Sequence, residues 1–354
     1  MAGSNKFCRF LSNGYSINLN KKLVVKPCCW YRGETPFDEN LEQTRKLQLD
    51  SVTGWIPGCS VCQKQEQAGY NSFRQSSFDI IPDTDDNAIV ALDINIDFNC
   101  NAACVICGPE YSSLWAKQSD KNKVIHIKSD YDAQSYLDTM LVTTDLSKLR
   151  RIKFFGGEPL LTDSHIQVLE KIPHPEQVDI WYTTNASILP TPELLNLWGK
   201  FKLVYFEASI DGIDEQFNYI RWPLRWSHIE RNLLTLKATA PVNVLFRINH
   251  TLNPFNIFYY DRLEQWVHTN LATNSVGDAT EINIHPCWGD WGLERTPLAL
   301  REVIHEKYAN QYVSTILPIT MMPINTIIEF TKQWDSIRNN NWRTIFPEIV
   351  KYFD

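Results

Sequence analysis

The chain has 354 residues with 34 Lys and Arg against 41 Asp and Glu, and its net charge of −7 excludes a general nucleic-acid-binding surface. Hydrophobic residues make up 44%, including 12 Trp, 14 Tyr and 17 Phe, enough core for one large α/β domain and a smaller module. No N-terminal apolar signal core and no run of membrane-span length is present, which predicts a cytoplasmic protein whose nine cysteines are metal ligands rather than disulfides.

Five of those cysteines, Cys8, Cys28, Cys29, Cys59 and Cys62, precede residue 80, in the local motifs Pro27-Cys28-Cys29-Trp30 and Gly58-Cys59-Ser60-Val61-Cys62. The alternation from Tyr15 to Val25 predicts a β-hairpin with its turn near Asn20-Lys21, and Leu41 to Val52 predicts a helix. A C-x-x-C pair with further thiols suits a zinc site of four cysteines as well as an iron–sulfur cluster.

From residue 88 onward, short β-rich runs alternate with helical patterns, the signature of a parallel sheet with crossover helices. The predicted strands are Ala88–Asn95, Leu149–Phe155, Val178–Thr184, Leu203–Ser209, Val242–Asn249 and Glu281–His285. Between them lie amphipathic segments at Glu193–Lys200, Ser227–Thr239 and Tyr259–Leu271, and a polar insertion near residues 117–133. This pattern gives an α/β fold: a partial (β/α)6 TIM-like barrel over 88–290, with a small cysteine-rich hairpin and helix module at 1–80. Residues 291–354 form a helical extension that packs on the barrel through Phe346-Pro347 and Tyr352-Phe353; it carries no catalytic signal.

In such folds the reactive site lies at the C-terminal ends of the strands. The first strand there leads into Asp97-Phe-Asn-Cys100-Asn-Ala-Ala-Cys104-Val-Ile-Cys107-Gly-Pro109. The spacing of Cys100, Cys104 and Cys107 also suits buried core thiols on one helix face, or a zinc site with a fourth ligand elsewhere. Pro109 favours a helix starting near it, which leaves the cysteines on a loop. The second strand ends in Gly156-Gly157-Glu158-Pro159. Two glycines let backbone approach a ligand and a carboxylate receives an ammonium, although a strand-ending turn with a Glu fits equally. Asn185 ends the third strand, Ser209 and Asp211 the fourth, and Arg247 with Asn249 lies on the fifth. His285 reads as a core or rim residue, and Cys287 is unassigned.

The C-x3-C-x2-C loop followed one strand later by Gly156–Pro159 resembles the radical S-adenosylmethionine (SAM) superfamily, over nearly the whole chain. The resemblance implies a [4Fe-4S] cluster on Cys100, Cys104 and Cys107 with one open iron for the amino and carboxylate groups of SAM. Gly156, Gly157, Glu158 and Pro159 would meet the SAM amino group, and Asn185, Ser209, Asp211 and Arg247 its other parts or the substrate. The family's chemistry is reductive cleavage of SAM to a 5′-deoxyadenosyl radical, which abstracts hydrogen from a substrate. The electron comes from an external one-electron donor of flavodoxin or ferredoxin type.

Cys8, Cys28, Cys59 and Cys62 resemble the twitch or SPASM-like auxiliary iron–sulfur module, which usually follows the barrel and here precedes it. Zinc is the alternative occupant, and Cys28 and Cys29 compete for one ligand position. The stretch Ser209–Arg221 resembles the peptide-modifying branch, with Trp222-Pro223 where that branch has Gly. Many members carry an aromatic residue before the third cysteine; this chain has Ile106. The expected function is oxidative modification or cross-linking of a peptide or protein side chain. A small-molecule substrate such as a sugar or nucleotide is the alternative, and a non-enzymatic Zn or Fe–S binding protein the distant one.

Overall fold

The computed structural model describes residues 7–18, 24–33, 54–67, 71–82, 88–95, 97–119, 133–272, 277, 279–287, 289–309, 311–318 and 321–354. The expected hairpin turn at Asn20-Lys21, the helix Leu41–Val52 and most of the polar insertion lie outside the described residues. Eight strands are present: β1 (Gly14–Asn18), β2 (Val24–Lys26), β3 (Ala91–Asn95), β4 (Arg151–Phe155), β5 (Asp179–Thr184), β6 (Leu203–Ser209), β7 (Val244–Leu252) and β8 (Glu281–Pro286). They form a mostly parallel sheet in the order β2-β1-β3-β4-β5-β6-β7-β8. The six strands read from the sequence are β3 to β8, and the α/β class is as expected.

The N-terminal hairpin exists, with β1 antiparallel to β2, but β1 also pairs in parallel with β3 over Gly14↔Ala91 to Asn18↔Asn95. The cysteine-rich segment therefore contributes two strands to the sheet instead of standing beside it. The chain divides into two compact units, one of residues 1–99, 125–183 and 191–205, the other of 100–124, 184–190 and 206–354. These groupings cut across the boundaries expected at 80, 88 and 290.

In the first unit, strand alternation sorts apolar residues to one face. Leu92, Ile94, Ile152, Phe154, Ile180 and Tyr182 are fully buried because successive strand side chains point oppositely. Phe154 stacks on Tyr182 at 5.1 Å and Tyr182 meets Trp198 at 5.2 Å, joining two strands to the helix Pro192–Trp198. That helix begins where Thr191 caps Leu194 N–H and Pro192 takes the first turn, a position that needs no amide donor. On the opposite strand positions Asp93 meets Arg151 at 2.6 Å, and Trp181 stacks on Tyr205 at 3.9 Å. The register sets Asn95 opposite Phe155, so Gly156 begins level with the end of β3.

In the second unit, Phe255, just after β7, is the hub of an aromatic cluster. It stacks on Trp342 at 4.8 Å and Phe346 at 5.5 Å and meets Phe353 at 5.2 Å. The C-terminal aromatics that meet Phe255 come from the segment of the helices Asn325–Arg338 and Trp342–Ile345 and the turn Pro347–Tyr352. No helix among the described residues is long and apolar enough to cross a membrane.

Candidate active site

Within the first unit, Gly156 and Gly157 have φ of +85° and +27°, the left-handed region that penalises a Cβ. A Cβ on Gly156 would overlap the Asn95 side chain, and one on Gly157 would overlap the Asn99 carbonyl. Glu158 N–H donates to that same carbonyl at 2.7 Å. The Gly-Gly-Glu turn is thus laid directly on the backbone of Asn99, the residue before Cys100. The Glu158 side chain is buried and accepts Leu160 N–H at 3.2 Å, capping the 3-10 turn Pro159–Leu161. Asp97 fixes the approach by accepting from Asn99 N–H at 2.8 Å, a local side-chain turn.

Within the second unit, Cys100, Cys104 and Cys107 lie on an irregular loop. The helix behind it runs Ser113–Ser119 and starts later than Pro109 suggests. The cause is Ser112, whose hydroxyl accepts Trp115 N–H at 3.1 Å and donates to Ala102 carbonyl at 2.5 Å, so it caps the helix and holds the loop together. Ser113 Oγ accepts Cys100 N–H at 3.1 Å, and Trp115 Nε1 donates to Cys104 carbonyl at 3.0 Å. From the other side, Trp222 carbonyl accepts Ala103 N–H at 2.6 Å and Ile220 carbonyl accepts Val105 N–H at 2.8 Å. Val105 is buried in the aromatic cluster and Ile106 packs against it, which is what Ile106 does in this fold.

The three thiols sense one another. Burial pushes Cys107 up to about 12, with Cys104 and Cys100 adding to the rise and Arg221 opposing it. Burial also raises Cys104, against the nearby Arg221 and Arg338 cations. Three soft thiols fixed on one partly buried loop, with cations at hand, form a donor set that fits an iron–sulfur cluster. Among the described residues no group of three or more His, Cys, Asp or Glu is close enough to hold a single metal ion.

The other predicted residues are placed as follows. Asn185 Nδ2 donates to Asn101 Oδ1 at 2.9 Å, and Asn101 Nδ2 donates to Ser187 Oγ at 2.9 Å, so the loop after β5 is tied to the cysteine loop. Ser209 ends β6, half-buried. Asp211 is fully buried, accepts Thr251 N–H at 2.7 Å and lies 2.7 Å from Arg221 Nη2. Asp211 Oδ2 sits off the donor's hydrogen-bonding line, so the attraction to Arg221 is ionic in character. Arg221 Nη1 in turn reaches Cys104 Sγ at 4.0 Å. Arg247 pairs with Glu281 at 3.1 Å, Asn249 accepts from Asn283 at 3.2 Å, and His285 is exposed on β8. Cys287 is buried, its N–H given to Leu252 carbonyl at 2.8 Å. Sequence reading missed Arg338, whose Nη2 donates to Ala103 carbonyl at 2.6 Å inside the cysteine loop. No short-range signal marks it.

The five N-terminal cysteines fall in the first unit, where Cys28 lies within electrostatic reach of Cys29, Cys8 and Asp93. Cys8 interacts electrostatically with Cys62, Cys28 with Cys8, and Cys59 with both Cys8 and Cys62. Burial raises Cys8 to about 11 and Cys59 to about 12. Cys29 faces Asp93, Lys153 and Arg151 on the strands, and burial again raises its thiol first of all. Of the adjacent pair, Cys28 is the one within electrostatic reach of Cys8.

Fold and loop together define a parallel α/β protein with a thiol-rich loop and a Gly-Gly-Glu turn at strand ends. Over 101 residues the chain is 26% identical to the probable GTP 3′,8-cyclase of Methanothermobacter marburgensis, covering 28% of this chain and 29% of that protein. Among solved structures, anSMEcpe with bound AdoMet aligns at TM-score 0.41 and 17% identity, covering 71% of this chain and 62% of that one. SuiB of Streptococcus suis bound to S-adenosylmethionine aligns at TM-score 0.36 and 13% identity, covering 90% of this chain and 57% of that one. No family model matches. The chain spans under a third of the curated relative and under two thirds of these solved chains.

Proposed function

We propose that this chain is a radical SAM enzyme that acts on a peptide or protein side chain. The observation that carries the reading is the partly buried loop holding Cys100, Cys104 and Cys107, with Arg221 against Cys104. Bound there, a [4Fe-4S] cluster with SAM supplies reductive C–S cleavage and a 5′-deoxyadenosyl radical, drawing its electron from an external flavodoxin- or ferredoxin-type donor. The protein's part is to hold three thiolates on a loop fixed by Ser112, Trp115, Ile220 and Trp222. Gly156 and Gly157 keep side chains out of the space beside Asn95 and Asn99, which leaves backbone there for the SAM amino group. Asn185, Ser209 and Arg247 are the further groups toward SAM or substrate, and Asp211 acts through Arg221.

The peptide reading is supported by the Ser209–Arg221 stretch and by Cys8, Cys28, Cys59 and Cys62, which share electrostatic reach and suit an auxiliary cluster that accepts an electron. A small-molecule substrate is favoured by the one curated match described, a nucleotide cyclase by name. Anaerobic reconstitution with iron and sulfide, dithionite reduction and assay of 5′-deoxyadenosine test the reading. SAM cleavage in the native chain and its loss in Cys104→Ala are expected; a cluster-loaded protein that forms no 5′-deoxyadenosine, or an active Cys104→Ala variant, refutes it. Parallel incubations with GTP and with candidate precursor peptides separate the two substrate classes by the mass of the product.

A further inference from the structure

Arg338 ends the helix Asn325–Arg338, far along the chain from the cysteines, yet its guanidinium lies against their loop. Its guanidinium carbon lies over two aromatic rings, 5.1 Å from the Trp222 ring centroid and 4.8 Å from that of Trp334. Trp334 in turn meets Trp115 edge-on at 4.7 Å, and Trp115 donates to Cys104 carbonyl. Trp222, the residue standing where the peptide-modifying pattern has Gly, therefore serves as one wall of this slot and accepts Ala103 N–H as well.

Arg338 is only partly used in this arrangement. Nη2 donates to Ala103 carbonyl at 2.6 Å and reaches Gln118 Oε1 at 3.4 Å, but Nε and Nη1 are buried with no acceptor among the described residues. Buried donors without acceptors are rare and costly, and each needs an explanation. No carboxylate among the described residues lies within ion-pair distance of Arg338; Asp335, Tyr219 and the Cys104 thiol are the titratable groups within its electrostatic reach. Arg221 by contrast has Asp211 as counter-ion.

We infer that Arg338 is a positioning residue of the three-cysteine site, pinning the loop at Ala103 and setting two N–H groups without protein acceptors and a positive charge beside it. The inference rests on the proposed function, because it needs the loop to carry a cluster. A fixed cation beside the loop favours the more negative, reduced state of any cluster held there. Loss of the charge lowers the midpoint potential, and loss of the Ala103 contact loosens the loop.

The test compares the full native chain with Arg338→Gln and Arg338→Lys after anaerobic reconstitution. The readouts are a redox titration of the EPR signal that SAM perturbs and the rate of iron loss to EDTA. In Arg338→Gln the reduced-to-oxidised ratio at fixed potential falls at least tenfold, 59 mV more negative for one electron, and iron leaves faster. Arg338→Lys keeps the charge and stem, so it holds the native potential but loses iron faster; it also serves where the Gln variant does not fold. Native potential and native iron loss in either variant overturn the inference while leaving the enzyme reading intact. A native chain with no SAM-perturbed signal overturns both.

Discussion

Replacing Asp211 by Asn strips the buried Arg221 of its counter-ion while keeping an acceptor for Thr251 N–H. The side chains are 0% and 11% exposed and 2.7 Å apart, so water screens them little. At an effective dielectric near 20 that separation gives about 6 kcal/mol of attraction. Much of this is offset by desolvation, and removal of one partner of such a pair costs about 3–5 kcal/mol, because the other charge stays buried alone. For a unit of this size each kcal/mol moves the midpoint by roughly 2–4 °C, so the second unit's transition falls by about 6–20 °C. The assay is differential scanning calorimetry of the reduced, metal-free chain, run beside Arg221→Met and the double variant. The double variant loses less than the two single effects added together, by about 0.5–3 kcal/mol. A fall of under about 2 °C in Asp211→Asn, with strictly additive effects, would show that the pair is not a structural unit and refute the reasoning.

Three further outcomes are expected. Burial holds His165 down to about 4, against 6.5 when unfolded, with its Nδ1 at 2.6 Å from the Tyr182 hydroxyl. Between those values the unfolded chain binds more protons, so stability is complete above pH 6.5 and falls by about 3 kcal/mol as pH drops to 4; melting against pH should flatten in His165→Gln, and an unchanged slope contradicts the assignment. Gly157→Ala forces a Cβ into the Asn99 carbonyl at φ +27°. It should cost about 1–3 kcal/mol and weaken SAM binding at least tenfold by equilibrium dialysis; a native-like variant would remove the Gly-Gly-Glu turn from the site. Cys28→Ser should lower the iron bound after reconstitution whereas Cys29→Ser should not, and the reverse result would exchange the two ligand assignments.

The six predicted strands were legible because β-branched and aromatic runs alternate over lengths that only strands satisfy, and each ends in a loop motif. Their positions in the structure agree within a few residues. The pairing of β1 with β3 was not legible, since a hairpin's own alternation says nothing about which third strand its free edge meets. The cysteine loop and the Gly-Gly pair stand out as local patterns, but the choice between Cys28 and Cys29 depends on packing, which brings Cys28 near Cys8 and Cys29 near Lys153 and Arg151. Arg338 is an ordinary basic residue at a helix end by any local criterion. Its role arises from a contact spanning 235 positions, between Trp222 and Trp334, that packing alone creates.

That span has a consequence for how the protein is made. Translation at roughly 5–20 residues per second delivers Ala103 about 10–50 s before Arg338, the two being 235 residues apart. Throughout that interval the nascent loop carries its three thiols without the clamp, the Trp222–Trp334 slot or the Phe255 cluster. A cofactor delivered during synthesis would meet the loop before Arg338 pins it at Ala103, and one delivered after release would meet it pinned. For the proposed cluster, the order in which this polypeptide leaves the ribosome decides whether iron and sulfur would meet the loop before or after the Arg338 contact forms.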